Sequence, residues 1–239
     1  MGRVVADVCA GDPEVEVVAG FDIQGQPADG FPVFSSPAAC TVDADAVIDF
    51  SHPSALDGLL AYGRQRNVPL VLATTGYSPE QLEQISEAAR VIPIFRSANM
   101  SLGINVLLDL VKKAAAVLGT DYDVEIVERH HHRKVDAPSG TALMLADAAA
   151  AALPYEPEYT YDRHAVRKAR DGHEIGISSV RGGTIVGDHT VIFAGRDEVI
   201  EISHHAASRE VFAVGAVKAA KFLTTVTQPG IYDMSMLVK

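Results

Sequence analysis

The sequence predicts an α/β protein in two parts: a Rossmann-like nucleotide-binding domain and an α+β domain with a mixed sheet. Three observations predict it. Short apolar runs alternate with helical patterns through the first half of the chain, the signature of a parallel sheet covered on both faces. From Glu174 onward, three strand-like runs follow one another across glycine-containing turns with no helix between them, which favours antiparallel or mixed pairing. A helical run, Arg209 to Leu223, then closes the chain. The expected domains are 1–101, dinucleotide-binding and completed by 209–239, and 102–208, for substrate binding and oligomerisation.

The elements follow in order. Glu14 to Asp22 reads as a strand ending in an acidic residue, and Ala46 to Phe50 as a second. Ser51 and Pro53 give helix-start chemistry ahead of Leu56, Leu59 and Leu60. Leu70 to Ala73 is a third strand. Ser78, Pro79 and Gln81 form a capping-box pattern for a helix reaching about Arg90, and Val91 to Phe95 is a fourth strand. Ile104, Leu107, Leu108, Val111, Ala115 and Leu118 keep helical spacing, with Gly119 just past the end. Asp123 to Glu128 alternates as a half-buried strand does. Pro138 to Leu153 is an alanine-rich helix. Glu174 to Val180, Thr184 to Phe193 and Val199 to His204 are the later strands.

Composition narrows the function. A net charge of −11 disfavours general nucleic-acid binding, which needs a basic face. No apolar run reaches the length of a bilayer-spanning helix, and no basic segment followed by an apolar core opens the chain. The two cysteines, Cys9 and Cys40, have no metal or redox spacing and read as free thiols of a cytoplasmic protein.

The densest chemistry is Glu125 to Ala142, EIVERHHHRKVDAPSGTA. Three histidines, an arginine and a lysine precede a turn that opens a helix. Pro138 fits a first helical turn. The N–H groups of Ser139, Gly140 and Thr141 are expected to point forward unpaired at the positive end of the helix dipole, where a carboxylate or phosphate binds. The Ser139 and Thr141 hydroxyls add donors, and Lys134 adds a charge. On the residues alone the histidine run has three readings: a solvated loop, proton chemistry or a metal site. Adjacent residues of an extended segment face opposite ways, and no acidic or cysteine partner stands at metal spacing, so no metal is expected.

This stretch resembles the signature of the dihydrodipicolinate reductase family, E-x-x-E-x-H-H-x-x-K-x-D-A-P-S-G-T-A, and fills its every fixed position. The resemblance covers essentially the whole chain: Asp49-Phe50-Ser51, Ala73-Thr74-Thr75-Gly76, Ala98 to Ser101, Arg181 with Gly183, Gly187 and His189, Ser208 to Ala216, and Pro229 to Met234. It implies reduction of a cyclic dicarboxylate, 4-hydroxy-tetrahydrodipicolinate, by NADH or NADPH in lysine and diaminopimelate biosynthesis. It implies His130 as general acid, supported by Lys134. His131, Ser139, Gly140 and Thr141 would hold the substrate carboxylates. For the cofactor it implies Ala73, Thr74 and Thr75, then Ser97, Ala98, Asn99 and Met100, with Asp22 on the adenosine ribose. Ile23 stands where members favouring NADP often carry arginine, which leans toward NAD or dual use. His132 and Arg133 fill variable positions and are expected to be exposed or to act through neighbours. A homotetramer built through the second sheet is also implied.

One departure matters. The family opens with a strand and a glycine-rich turn, whereas Met1-Gly2-Arg3 aligns with the end of that turn. The expectation is two strands left with unpaired edges, an incomplete cofactor site and weak cofactor affinity. A second hypothesis is therefore a non-catalytic homologue that folds and binds dicarboxylates.

Overall fold

A computed structural model of the chain describes residues 1–24, 28, 30–164 and 166–238. Gly25, Gln26, Pro27, Asp29 and Lys239, within the ranges expected for the first domain, lie outside the described residues, as does Ala165. The chain divides into two compact units, Met1–Leu102 with Glu210–Lys239, and Gly103–Arg209.

The first unit is doubly wound. It contains α1 (Gly2–Ala10), β1 (Gly20–Phe21), β2 (Val33–Phe34), β3 (Val47–Asp49), α2 (Leu56–Arg66), β4 (Leu70–Leu72), α3 (Pro79–Ala88) and β5 (Pro93–Arg96). Alternation along a strand sends neighbouring side chains to opposite faces. Leu70, Leu72 and Ile94 accordingly pack with Leu59, Leu60 and Ile85 of α2 and α3. Val71 and Phe95 face the other way, against a helix from the far end of the sequence. The capping box at Ser78 forms as expected: its hydroxyl accepts from Gln81 N–H, and the Gln81 side chain accepts from Ser78 N–H.

The second unit carries α4 (Leu102–Leu118), β6 (Asp123–His130), α5 (Gly140–Ala150), β7 (Glu158–Thr160), β8 (Glu174–Arg181), β9 (Gly187–Ala194) and β10 (Val199–Ala206). The five strands run in the order β10-β9-β6-β8-β7. β6 is parallel to β8 and antiparallel to β9, so the sheet is mixed. Ile104, Leu107, Val111 and Ala115 of α4 join Ala142, Leu145 and Ala149 of α5 over one face, on Val124, Ile126, Ile175, Ile177, Val191 and Phe193. The chain then returns to the first unit as α6 (Glu210–Thr225) and β11 (Gly230–Tyr232). β11 pairs with β5, giving the parallel order β11-β5-β4-β3. Ala216, Ala219 and Leu223 of α6 supply the cover for Val71 and Phe95.

Two elements differ from the sequence reading. The strand expected over Glu14 to Asp22 contracts to Gly20–Phe21, paired with β2 alone. A ladder needs a neighbour, and among the described residues β1 has none on its other edge; β3 likewise pairs only with β4. The two sheets of the first unit therefore share no ladder. In the second unit Pro138 precedes the helix rather than sitting in its first turn, because Ser139 takes the N-cap position.

Candidate active site

The core-facing row of β6 reads Val124, Ile126, Glu128, His130, so an apolar row turns polar at one end. Its neighbours do the same. Glu128 stands opposite Ser179 of β8 and His189 of β9, and His130 stands opposite Arg181. Glu128, His130, Arg181 and His189 thus reach one end of the sheet by strand register alone.

Glu128 is fully buried, at 0% exposure. Its carboxylate accepts from both terminal nitrogens of Arg181, each at 2.7 Å. It pairs with His130 Nδ1 at 2.6 Å and accepts from Ser139 N–H at 3.1 Å. Burial pushes this carboxyl up, but hydrogen bonds from Arg181, His130 and Ser179 outweigh it and hold the group at about 2. An ionised partner at Nδ1 takes a proton-bearing Nδ1, which leaves Nε2 as the other ring nitrogen of His130. Nε2 lies against Gly187, where an added Cβ would approach it to 3.1 Å.

His189 stacks edge-on to His130, with ring centroids 5.2 Å apart, and its Nε2 is 3.0 Å from Ser139 Oγ. Burial, reinforced by the nearby His130, pulls His189 down to about 4. The expectation that Ser139 N–H points forward unpaired is corrected here. That N–H is given to Glu128, and the Ser139 hydroxyl accepts from Ala142 N–H. A buried carboxylate on β6 competes better for the donor than solvent does. The open side of the helix start is Gly140, which is exposed; a Cβ added there would meet nothing within 4 Å.

Beyond β6 the chain turns. His132 N–H donates to Gly183 O at 3.3 Å and Gly182 N–H to His130 O at 2.9 Å, binding this turn to the β8–β9 turn. Lys134 Nζ is 2.9 Å from Asp136 Oδ1, and that bond holds the Asp136 carboxyl below its usual range. His131, Arg133, Thr184, Val186 and Arg209 line a concave patch. Burial first, then the cations Arg133 and Arg209, lower His131 below the ordinary imidazole value. His131 Nδ1 is buried, with no hydrogen-bond partner among the described residues.

In the first unit, parallel pairing puts the ends of β3, β4 and β5 at one edge of their sheet. Asp49 is buried there, accepting from Ser51 N–H at 2.9 Å and from Tyr77 OH at 3.3 Å. Ala73, Thr74 and Thr75 follow β4, with Thr74 buried. Ser97, Ala98, Asn99 and Met100 follow β5 in a turn where Ser97 Oγ donates to Asn99 O at 2.8 Å. Gly215 of α6 makes room for this turn: a Cβ there would fall inside the van der Waals surface of the Met100 carbonyl. Asp22 is exposed just past β1, its Oδ1 accepting from Gln24 N–H at 2.7 Å, and Ile23 beside it is 92% exposed. Asp22 thus follows the two-stranded sheet, not the one that carries the other loops.

Sequence reasoning missed Glu128, Arg181, His189 and Arg209 as site residues. For the first the signal was there: a Glu two residues before a His on a strand shares its face. The others depend on β-register and on the return of the chain after β10, which no local spacing reports.

Comparison with known proteins gives one consistent result. Residues 1–100 match the family model described as dihydrodipicolinate reductase, N-terminus, and residues 103–238 match the one described as dihydrodipicolinate reductase, C-terminus. The chain is similar to the 4-hydroxy-tetrahydrodipicolinate reductase of Caldanaerobacter subterraneus subsp. tengcongensis, 56% identical over 100% of this chain and 94% of the relative. It is 48% identical to that of Clostridium tetani over 100% of this chain and 92% of the relative. Among solved structures it is similar to dipicolinate-bound dihydrodipicolinate reductase from Paenisporosarcina sp. TG-14. The TM-score is 0.80 and the identity 25%, with 97% of this chain and 92% of that one covered. With both halves matched, and with the buried Glu128 joined to His130 and Arg181 within the matched second half, the chain belongs to the dihydrodipicolinate reductase family.

Proposed function

We propose that this chain reduces 4-hydroxy-tetrahydrodipicolinate to tetrahydrodipicolinate, with NADH or NADPH as the electron donor, in lysine and diaminopimelate biosynthesis. The observation that carries the reading is His130, its Nδ1 fixed by Glu128 and its Nε2 turned toward Gly187, which has no side chain to cover it. Overall the substrate takes up one hydride and one proton and loses its 4-hydroxyl as water. Hydride addition at C4 of the unsaturated ring leaves electron density that a proton at the neighbouring carbon must quench, and His130 Nε2–H is that acid. His130 is then reprotonated from solvent.

The substrate's two carboxylates call for cations and helix-start N–H groups. Lys134 supplies a charge and supports the proton transfer. His131 and Arg209 supply donors from the concave patch, and Gly140 and Thr141 present the start of α5. Ser139 contributes by holding that helix start against Glu128 and His189. The solved relative is described as dipicolinate-bound, a planar dicarboxylate of the same outline.

We assign 1–101 with 209–239 to dinucleotide binding and 102–208 to substrate binding and oligomerisation. A dinucleotide fits the carboxyl edge of the parallel sheet, where Thr74 and Asn99 are buried polar side chains on short loops. Ala73 to Thr75 and Ser97 to Met100 would hold it, with Asp22 accepting from the ribose. Bound there, the nicotinamide supplies the hydride. The exposed Ile23 offers no charge to a 2′-phosphate, which favours NADH or dual use. The second-unit sheet ends in β10, an edge strand exposing Val199 and Ile200, in keeping with a homotetramer assembled through this sheet. No helix among the described residues is long and apolar enough to cross a membrane, and a cytoplasmic location suits the substrate and donor. The test follows NADH and NADPH absorbance with freshly generated substrate. Turnover supports the reductase; a folded protein that binds dipicolinate but never turns over is the non-catalytic homologue instead.

A further inference from the structure

We infer that Glu128 is a positioning residue, whose single carboxylate sets the tautomer of His130 and locks the start of α5 to it. The inference rests on the reading of His130 as the proton donor. The geometry has three parts. Glu128 takes His130 Nδ1 at 2.6 Å, so the ring is held with its other nitrogen toward Gly187. The same carboxylate takes Ser139 N–H at 3.1 Å, so the helix start that faces the substrate carboxylates shares one anchor with the acid. Arg181, directly opposite His130 in the β6–β8 register, meets both carboxylate oxygens and balances a charge that is wholly buried. A carboxylate with no exposure and three kinds of donor cannot itself reach a substrate. Its influence passes through the groups that it holds.

The tautomer can be read without turnover. Imidazole 15N NMR of the wild-type protein, at a pH where His130 is neutral, should show the proton on Nδ1 and Nε2 bare. A proton resting on Nε2 instead overturns the inference. The functional arm uses Glu128→Leu combined with Arg181→Met, since removing both halves of a buried pair disturbs folding less than removing one. That variant should lose the Nδ1 preference, and kcat should fall about 10- to 100-fold with KM changed only a few-fold. Glu128→Gln, which keeps an acceptor oxygen, should recover part of the loss. A folded double variant with wild-type kcat overturns the inference. If the wild type holds the Nδ1 tautomer yet never reduces the substrate, the positioning role stands and the proposed function falls.

Discussion

His130 and Arg181 are register partners across β6 and β8, yet both side chains turn back along the sheet to the one carboxylate of Glu128. An acid and a cation that would otherwise repel are kept side by side by the anion between them. The proposed proton donor therefore sits on a strand rather than on a loop, and its loss should register in the chemical step.

His130→Gln keeps the size and a hydrogen-bonding group but cannot act as the acid. Turnover should fall about 10²- to 10⁴-fold while substrate KM moves little. Steady-state kinetics with freshly generated substrate check it; near-normal turnover would remove His130 from the role.

Gly187→Ala places a Cβ 3.1 Å from His130 Nε2, tighter than an ordinary contact. The ring has to shift by a few tenths of an ångström. About a tenfold loss of kcat is expected, since small misplacements cost rate steeply. The far-ultraviolet circular dichroism should stay unchanged.

Lys134→Met and Arg209→Met each remove a cation proposed for a substrate carboxylate. KM should rise roughly 10-fold or more for each, the scale of a lost charge-assisted hydrogen bond. Dipicolinate should weaken in parallel as a competitive ligand. Unchanged binding in both variants would place the carboxylates elsewhere.

His189 titrates at about 4 in the fold against an ordinary 6.5. A depressed value means that the unfolded chain takes up the proton first. The stability it contributes is thus full above pH 6.5 and drains away as pH falls toward 4, on the order of 3 kcal/mol in all. Glu128, held at about 2 against an ordinary 4.5, adds a second loss below that range. Denaturant midpoints measured between pH 7 and 4 should fall, and His189→Gln should flatten the upper part of the curve.

Gly215→Ala tests the first unit. The new methyl would collide with the Met100 carbonyl, so α6 or the turn after β5 must move. A loss of roughly 1–3 kcal/mol is expected, seen as a midpoint lowered by several degrees, with weaker cofactor binding alongside it.

Much of this was legible in the sequence. The alternation from Asp123 to Glu128 marked the strand, and the same period of two, carried on to His130, sets the face that Glu128 and His130 share. The capping box at Ser78 and the helix from Leu102 to Leu118 were legible from local chemistry. The fate of the Ser139 N–H was not, since it depends on a carboxylate that approaches from another element. Arg181 and His189 were visible as motif residues, but their partners come from register between strands far apart in sequence. Glu14 to Val18 looked like a strand by its alternation and is not one, because a strand exists only where a neighbour bonds it.

The cover that α6 gives to Val71 and Phe95 has a consequence for biosynthesis on the ribosome. Synthesis proceeds from the N-terminus, and α6 and β11 are translated after the whole of Gly103–Arg209. The contiguous unit can complete its core while the chain is still attached. The earlier-made unit must wait, one face of its sheet bare, until α6 and β11 clear the exit tunnel. A nascent chain stalled before Glu210 would therefore present Val71 and Phe95 to chaperones, making this the stage at which the protein most needs them.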